Sequence, residues 1–368
     1  MRILYRTLAA IVVLVVVGLL ALGLVLQHDA PCGNATAART VGPSMKAVVY
    51  RCYGSADVLR VEEIAKPQPH DNEILVKVHA ASLNPLDWHF MHGTPYIVRL
   101  DAGIGKPKDI RLGVDYSGTV EAIGKDVTRF KPGDAVFGGR DGAFAEYVAV
   151  RADRSVVPKP DNMSFEQAAA VPIAGLTALQ ALRDKGHVRA GDKVLINGAS
   201  GGVGTFAVQI AKSYGAEVTG VCSSKNLAMV RSLGADHVID YTAEDFTQQP
   251  QRYDLILDTV GNHSLLQYRQ VLTPHGIVVI IGGPSTGPFI GPLITPMKAL
   301  LLTPFVSQRF EPFLAAFNPQ DLGTLGELMQ AGKLTPVIDR QYPLAEIPEA
   351  MRYVEAGHAH GKVVLNMP

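Results

Sequence analysis

The stretch that decides the predicted fold is Lys193-Val-Leu-Ile-Asn-Gly-Ala-Ser-Gly-Gly-Val-Gly-Thr-Phe-Ala-Val-Gln-Ile-Ala-Lys212. A short apolar run, Val194 to Ile196, leads into closely spaced glycines, after which Phe206 and Ile210 fall on one helical face. This order predicts a strand, a tight turn and a helix N-terminus. Glycine suits such a turn because the backbone can bend sharply and approach a phosphate without a Cβ in the way.

Further strand-like runs follow this turn, at Glu217 to Val221, Val238 to Ile239, Leu255 to Leu257 and Ile277 to Ile281. Strands that alternate with helices predict an α/β fold, a doubly wound parallel sheet of the Rossmann type. In that fold the N–H groups and the positive end of the first helix bind the diphosphate of a dinucleotide. The residues expected to bind it are Gly198, Ala199, Ser200, Gly201, Gly202, Val203 and Gly204.

The end of the second strand indicates which dinucleotide is bound. An acidic residue there would select NAD by accepting hydrogen bonds from the ribose, whereas this chain has Cys222-Ser-Ser-Lys225. Hydroxyl groups and a cation suit a ribose 2′-phosphate, so we expect NADPH, bound by Ser223 and Lys225. Tyr241 follows the third strand and is either a further cofactor contact or a surface tyrosine. Two later strands end in small residues that are expected beneath the cofactor, Val260 and Gly282.

The composition excludes some classes of protein. The 368 residues are too many for one compact core and suit two domains. Lys+Arg and Asp+Glu both number 34, so no basic field recruits nucleic acid. The three cysteines, Cys32, Cys52 and Cys222, show no spacing of a zinc cage or a disulfide framework, which indicates an enzyme of a reducing compartment.

The first 44 residues differ from the rest of the chain. Residues 8–26 are apolar and carry no charge, and at about 1.5 Å per residue they match the hydrocarbon thickness of a bilayer. They predict a single-pass membrane anchor that is not part of the enzyme. Arg2 and Arg6 precede this run and Arg39 is the next cation, a bias that places the remainder of the chain outside the cytoplasm. Because the enzyme needs the NADPH pool, we nevertheless expect the catalytic domain on the cytoplasmic side.

Other interpretations of residues 1–44 stay open. They include a signal peptide cleaved near Ala35-Thr-Ala37, an anchor inserted the other way, and a true start of the protein at Met45. From Met45 onward short β-branched runs alternate with Gly, Pro and Asp, which predicts a compact β domain. That domain ends near Ser164-Phe-Glu-Gln167, a helix capping box that precedes the nucleotide fold.

Motifs outside the glycine turn narrow the interpretation. In order they are Met45-Lys-Ala-Val-Val-Tyr50, Asn84-Pro-Leu-Asp87, Gly113-Val-Asp-Tyr-Ser-Gly118, Lys131-Pro-Gly-Asp134, Ala170-Val-Pro-Ile-Ala-Gly-Leu-Thr177, Leu233-Gly-Ala-Asp236 and Gly361-Lys-Val-Val364. With them the chain from Met45 to about Met367 resembles the medium-chain dehydrogenase/reductase superfamily, and more narrowly its zinc-independent NADPH:quinone oxidoreductase-like branch. The resemblance implies a GroES-like catalytic domain at residues 45–167 and 303–368, an inserted Rossmann domain at residues 168–302, and a homodimer paired through the Rossmann sheets.

Zinc-dependent members of that superfamily hold the metal with a cysteine near position 84, a histidine in a Gly-His-Glu motif and a later cysteine. This chain has Asn84 at the first place and Gly113-Val-Asp115 at the second, with no cysteine between Cys52 and Cys222. His358-Ala-His360 offers two imidazoles and no third ligand. We therefore expect no metal, because a tetrahedral zinc site needs thiolate or imidazole ligands.

An enzyme without a metal as Lewis acid suits acceptors that take hydride unaided, such as quinones and α,β-unsaturated carbonyls. By the resemblance, Asn84 lies beside the nicotinamide and Thr177 faces it; a turn-forming asparagine and an ordinary helix threonine are the alternatives. Trp88, His89 and Tyr96 are candidates for the acceptor pocket. Among these three, His89 is the one that can donate a proton near neutral pH, unless it is simply a solvated histidine.

Residues 289–317 are rich in Leu, Phe, Pro and Met. They predict a lid over the acceptor pocket, a dimer surface or a patch that rests on a membrane, and we favour the lid. The favoured function is an NADPH-dependent quinone or enone reductase. Two others compete with it: an enoyl-thioester reductase of the same branch, and a membrane-tethered protein that binds NADPH without turnover.

Overall fold

A computed structural model describes residues 13, 14, 17, 18, 20–33, 42–283, 289 and 291–368. The first large unit is rich in β-structure and contains β1 (Ser44–Val49), β2 (Arg60–Ala65), β3 (Glu73–Leu83), α1 (Pro85–His92), α2 (Arg99–Ala102), β4 (Asp115–Ile123), β5 (Ala135–Gly139), β6 (Tyr147–Arg151) and β7 (Val156–Pro158). β3 pairs antiparallel with both β4 and β6 and is buried along most of its length. This unit is the predicted β domain, and its central strand ends at the candidate site.

Helix α1 begins where β3 ends, and its first turn fixes the position of Asn84. Asn84 is the N-cap, with an extended backbone, and Pro85 takes the first helical position, where its missing N–H costs no hydrogen bond. A side-chain oxygen of Asp87 accepts a hydrogen bond from the backbone N–H of Asn84 at 2.7 Å. Gly93 ends the helix with a φ of 61°, a left-handed conformation that favours glycine. The Asn-Pro-Leu-Asp motif is thus a helix start that holds Asn84 in the interior.

The second unit is the predicted Rossmann fold. Helix α3 (Phe165–Ala169) precedes it and packs on β3 and β4 of the first unit. The elements of the second unit are α4 (Pro172–Gln180), β8 (Lys193–Asn197), α5 (Gly202–Ser213), β9 (Glu217–Cys222), α6 (Leu227–Ser232), β10 (His237–Asp240), β11 (Tyr253–Asp258), α7 (Leu265–Val271), β12 (Leu272–Ile280), α8 (Gly291–Leu302) and β13 (Arg309–Pro312). Within the described residues the sheet has the order β10-β9-β8-β11-β12-β13, and all its pairings are parallel. Helix α5 buries Phe206 and Ile210 against it, as the sequence pattern predicts.

The chain then returns to the β-rich unit through α9 (Pro319–Gln330), β14 (Ile338–Pro343), α10 (Ile347–Glu355) and β15 (Lys362–Asn366). Strand β15 pairs antiparallel with β3 and parallel with β14. Just before β15, Gly361 forms a β-bridge with Gly201 of the glycine turn. The return strand therefore starts at the junction of the two units, and the insertion of a Rossmann unit into a GroES-like unit is confirmed.

Residues 20–33 contact the β-rich unit through their second half, from Leu26 to Cys32, although the sequence predicts that they stand apart from the enzyme. Arg99 joins the two: its buried guanidinium donates to the carbonyl of Leu26 at 2.8 Å and pairs with the carboxylate of Asp29 at 2.8 Å. The same guanidinium lies over the ring of Tyr96, 4.6 Å from its centroid. The segment is thus part of the folded enzyme and meets the loop predicted to line the acceptor pocket.

Two cysteines that were expected to stay unpaired form a disulfide. Cys32 and Cys52 are bonded, with their Cα atoms 5.1 Å apart. The prediction was wrong because the pairing depends on residues 20–33 folding back on the β-rich unit, and no spacing along the chain shows that contact. Cys222 is free and buried.

Eight of the 19 residues of the predicted membrane span, 8–26, lie outside the described residues. Across the part of the chain that the structure describes, no helix combines the length and the hydropathy needed to cross a bilayer. This finding corrects the prediction of a single-pass anchor and, with it, the placement of a tethered catalytic domain on the cytoplasmic side.

Candidate active site

The glycine turn between β8 and α5 has a crowded side and an open side. Gly198 has a φ of 85°, and a Cβ on Gly204 would lie 2.1 Å from the carbonyl oxygen of Gly198, so larger residues do not fit there. A Cβ on Gly201 would instead have that oxygen as its nearest neighbour, at 3.4 Å. On this open side the first N–H groups of α5 lack intrahelical partners. The turn is therefore a cradle that fits the diphosphate of a dinucleotide.

Beside the turn, the ends of β9 and β10 bring the predicted 2′-phosphate residues together. The backbone N–H of Tyr241 donates to the carbonyl that precedes Ser223, at 3.1 Å, and Lys225 is exposed nearby in a short 3₁₀ turn. The buried side-chain amide of Asn226 lies 3.2 Å from the hydroxyl of Ser223 and 3.2 Å from that of Ser200. Asn226 thus ties this region to the glycine turn, a role that the sequence analysis missed because an asparagine after a lysine matches no motif.

The loops after β11 and β12 lie next to the turn, at the carboxyl edge of the sheet. The carboxylate of Asp258 accepts a hydrogen bond from the backbone N–H of Val260 at 3.1 Å and another from the amide of Asn197 at 3.0 Å. A Cβ on Gly282 would lie 2.1 Å from the carbonyl oxygen of Thr259, so the two loops approach closely. The predicted cofactor residues of both loops therefore share one edge with the turn.

Asn84 belongs to a buried polar cluster, which we call the junction cluster: Asn84, Asp87, Asp115 and Lys362. None of these residues is more than 3% exposed. The ammonium of Lys362 donates to the side-chain carbonyl of Asn84 at 2.5 Å, and the side-chain amide of Asn84 donates to the carboxylate of Asp115 at 3.0 Å. Burial raises the pKa of Asp115 and that of Asp87, and it lowers the pKa of Lys362. Asp115 and Lys362 stand in sequence motifs that indicate no role for them in the site.

The junction cluster also reaches the helix that carries Thr177. The second carboxylate oxygen of Asp115 accepts a hydrogen bond from the backbone N–H of Ile173, in the first turn of α4, at 3.1 Å. Thr177 lies one turn further along and donates its hydroxyl to the carbonyl of Ile173 at 2.7 Å. Asp115 therefore binds both Asn84 and the turn of α4 that precedes Thr177. The contact of Asn84 and Thr177 with a nicotinamide stays a prediction.

His89 is held in a way that bears on its predicted role. Its Nδ1 lies 2.7 Å from the carbonyl oxygen of Thr94, so Nδ1 carries the hydrogen, and its ring stacks on Trp88 at 3.7 Å between centroids. Burial lowers the pKa of His89. The imidazole is therefore neutral at physiological pH, a state that suits lining a pocket better than donating a proton.

The predicted lid meets the acceptor-pocket loop at one point. Phe289 packs edge-on against Tyr96, with 4.9 Å between the ring centroids. Further along residues 289–317, Leu300 and Phe305 are among the most exposed apolar side chains of the described residues. One end of the segment thus touches the candidate pocket, and the other presents apolar surface to its surroundings.

A Rossmann sheet with an open glycine turn, inserted into a GroES-like unit and joined to it by buried polar groups, defines a dinucleotide-dependent oxidoreductase. Residues 70–161 match the family described as alcohol dehydrogenase GroES-like domain, and residues 233–365 match the one described as zinc-binding dehydrogenase. The chain belongs to the medium-chain dehydrogenase/reductase superfamily, in its quinone oxidoreductase-like branch, and the family predicted from the motifs is confirmed.

Individual relatives match this chain over most of their length. The chain is 38% identical over 356 residues to mouse NAD(P)H oxidoreductase RTN4IP1, mitochondrial, covering 88% of this chain and 89% of the relative. It is 33% identical over 358 residues to NADPH-dependent alkenal/one oxidoreductase, chloroplastic, of Arabidopsis thaliana, covering 92% and 84%. The solved quinone oxidoreductase of Coxiella burnetii superposes with a TM-score of 0.76 at 33% identity, covering 89% of this chain and 100% of that one.

A family described as zinc-binding raises the question of whether these residues fit zinc. Among the residues that the structure describes, no three His, Cys, Asp or Glu side chains are grouped to hold a metal. Cys32 and Cys52 are bonded to each other. At the two places where zinc-dependent members supply ligands, this chain has Asn84 and, for the histidine of Gly-His-Glu, Val114; the neighbouring Asp115 binds Asn84 beside the ammonium of Lys362. The residues do not fit a zinc site, and we derive no step through a metal.

Proposed function

We propose that this protein transfers hydride from NADPH to quinones or α,β-unsaturated carbonyls. One observation carries the proposal: Lys362 touches both halves of the candidate site. Its aliphatic stem runs past Gly202, where a Cβ would lie 3.1 Å from the Cδ of Lys362, and its ammonium binds Asn84. The groups expected at the diphosphate and at the nicotinamide are thus joined through one side chain. The relatives named as quinone and alkenal/one oxidoreductases support the class of acceptor.

The residues present give each part of the cofactor a partner. The glycine turn binds the diphosphate through backbone N–H groups, and Ser223, Lys225 and Tyr241 bind the 2′-phosphate end. When bound, NADPH supplies the hydride. Asn84 and Thr177 orient the nicotinamide ring, because both side chains are fixed by hydrogen bonds to neighbouring groups.

The acceptor needs a pocket and a proton. Trp88, His89 and Tyr96 line the pocket, and Phe289 closes against Tyr96, which keeps water away from the transferred hydride. The reduced acceptor also takes up one proton, and because His89 is held neutral we assign that proton to solvent. The protein therefore contributes position and a dry pocket more than acid catalysis.

Two further features of the family, a homodimer and a division into two domains, are also proposed for this chain. The first is a homodimer paired along β13, the edge strand of the Rossmann sheet, near which Leu300, Leu301 and Phe305 are exposed. Light scattering after size exclusion would give twice the chain mass of 39.4 kDa if it forms. The second is the division into residues 45–167 with 303–368, and 168–302.

The test is NADPH oxidation by the full chain across a panel of quinones, enones, an aldehyde and a crotonyl thioester. The full chain is needed because residues 20–33 supply partners to the buried Arg99. We expect turnover with quinones or enones and little with the aldehyde. Preferred turnover of the crotonyl thioester would instead identify an enoyl-thioester reductase. NADPH binding without oxidation by any acceptor would identify a non-catalytic protein, and both outcomes would contradict the proposal.

A further inference from the structure

Burying Lys362 at its position has a large desolvation cost. It is 3% exposed, and its ammonium donates to the backbone carbonyl of Leu83 at 3.0 Å and to the side chain of Asn84 at 2.5 Å, with the carboxylate of Asp115 at 3.7 Å. Burying an ammonium with carboxylates commonly stabilises a fold less than well-packed apolar side chains would. Stability alone therefore does not account for a lysine here, and its contacts with Asn84 point to a role in the site.

The junction cluster fixes which way the carboxamide of Asn84 points. Its oxygen faces the ammonium of Lys362, which only donates hydrogen bonds, and its nitrogen faces the carboxylate of Asp115, which only accepts them. Turning the amide over would set donor against donor and acceptor against acceptor. Two further donors, the hydroxyl of Ser82 and the backbone N–H of Ile173, each at 3.1 Å, keep Asp115 in its role as an acceptor.

Lys362 and Asp115 also connect Asn84 to both walls of the cleft. The stem of Lys362 lies against Gly202 at the start of α5, so it touches the turn that is expected to hold the diphosphate. Asp115 binds the first turn of α4, the helix that carries Thr177. A small displacement of a group that orients a reacting ring lowers the rate of transfer strongly, about 10²-fold for roughly 1 Å. Links of this kind are therefore expected to affect the hydride step more than cofactor binding.

We propose that Lys362 and Asp115 are positioning residues that lock the orientation of the Asn84 carboxamide and tie it to the glycine turn and to α4. The inference rests on the proposed function, because it assigns Asn84 to the nicotinamide end of the cleft. It goes further in stating that two buried charged groups, neither of them in contact with the acceptor, set the rate of the hydride step.

Three variants of the full chain separate positioning from stability. Lys362→Met keeps the stem that lies against Gly202 and removes the ammonium. Lys362→Met with Asp115→Asn removes both charges, so no unpaired carboxylate stays opposite the lost lysine, yet the donor-only and acceptor-only partners of Asn84 are both gone. Lys212→Met is the matched control, since Lys212 also donates to a carboxylate and a backbone carbonyl but lies at the far end of α5.

Lys362→Met should lower the Tm by about 10 °C, because an unpaired carboxylate is left in the interior, and the double variant should recover most of that loss. Both should keep the Kd for NADPH, measured by fluorescence without acceptor, within about threefold of the wild type because the stem against Gly202 is retained. In single-turnover experiments with saturating NADPH and acceptor, both should transfer hydride at least about tenfold more slowly. Lys212→Met should leave the hydride rate unchanged.

Recovery of the hydride rate together with the Tm in the double variant would overturn the proposal, because it would show that the two residues only support the fold. A wild-type protein without turnover would instead contradict the proposed function. In that case the side-chain amide signal of Asn84 in ¹⁵N NMR spectra of the cofactor-free protein still tests whether Lys362 and Asp115 fix the orientation of its carboxamide. Slow hydrogen exchange in the wild type and fast exchange in the double variant would support the positioning role of Lys362 and Asp115, whereas equal exchange in both would refute it.

Discussion

The glycine turn and the junction cluster meet at Lys362, but they are built in opposite ways. The turn is one contiguous stretch whose backbone does the binding and whose crowded positions tolerate no Cβ. The cluster gathers four side chains from positions 84 to 362, and three of them are ionisable groups withdrawn from water. A site made of backbone is thus specified locally by which side chains are missing, whereas a site made of buried charges is specified by the whole topology.

The largest effect is expected where the turn depends on a missing side chain. Gly204→Ala would bring a Cβ to 2.1 Å from the carbonyl oxygen of Gly198 and 2.7 Å from the Cα of Ala199. Both are backbone atoms, so the clash can be relieved only by moving the turn itself. We expect NADPH affinity to fall at least about 100-fold, measured by fluorescence titration, or the protein to lose its folded state.

Gly323→Ala is the control for that substitution. Gly323 lies within α9, and a Cβ there meets nothing within 4 Å. The control should bind NADPH as the wild type does and gain about 0.5–1 kcal/mol in the free energy of unfolding, because alanine loses less backbone entropy than glycine. If both alanine variants bind NADPH equally well, the turn is not the backbone cradle described above.

A second change tests whether charge matters beside the turn, where the backbone alone does not distinguish the two dinucleotides. Ser223→Asp with Lys225→Ala puts a carboxylate in place of a hydroxyl and removes a cation at the expected 2′-phosphate site. The ratio of kcat/KM for NADPH to that for NADH should fall about 100-fold, which corresponds to roughly 2.7 kcal/mol. Lys333→Ala, an exposed lysine elsewhere, should leave the ratio unchanged. An unaltered ratio in the double variant would remove the phosphate assignment.

The effect that is smallest, when it is expressed per pH unit, concerns the charge state of Asp87 in the junction cluster. Burial raises the pKa of Asp87 to about 8, whereas an unfolded chain has it near 3.8. Between these values the folded protein holds a proton that the unfolded chain has lost, so this group contributes stability at low pH that is lost as pH rises towards 8. The slope is at most about 1.4 kcal/mol per pH unit.

Asp87→Asn should therefore flatten the pH dependence of the free energy of unfolding between about pH 5 and 7.5, as measured by urea denaturation. The asparagine oxygen can still accept the hydrogen bond from the backbone N–H of Asn84. Asp126→Asn, at an exposed carboxylate, is the control and should leave the slope as it is. A wild-type slope in Asp87→Asn would show that Asp87 is ionised in the folded protein throughout this range.

The same contrast explains what the sequence could predict. The Rossmann unit follows from Val194 to Ile196 and the glycines after it, because periodicity and missing side chains act locally. The β-rich unit and the family follow from short motifs in the right order. The helix start at Asn-Pro-Leu-Asp is local as well, although the sequence analysis offered only a turn-forming asparagine there. These features need no knowledge of which distant segments meet.

Apart from the role of Asn226, the parts that sequence reasoning missed depend on contacts between separate segments of the chain. Asp115 and Lys362 stand in motifs, but only the pairing of β15 with β3 brings the lysine to Asn84. The Cys32–Cys52 disulfide and the buried Arg99 depend on residues 20–33 folding back, and an apolar run there favoured a membrane anchor instead. Burial and pairing between segments that lie from 20 to 279 residues apart leave no periodic pattern in the sequence.

A crystal structure of the full chain with NADPH tests most directly whether the turn and the junction cluster serve one bound molecule. The diphosphate should lie against the backbone N–H groups that follow Asn197, and the nicotinamide ring should lie within contact distance of the carboxamide of Asn84. A dinucleotide bound with its nicotinamide away from Asn84, or side chains filling the cleft beside the turn, would contradict the proposed site.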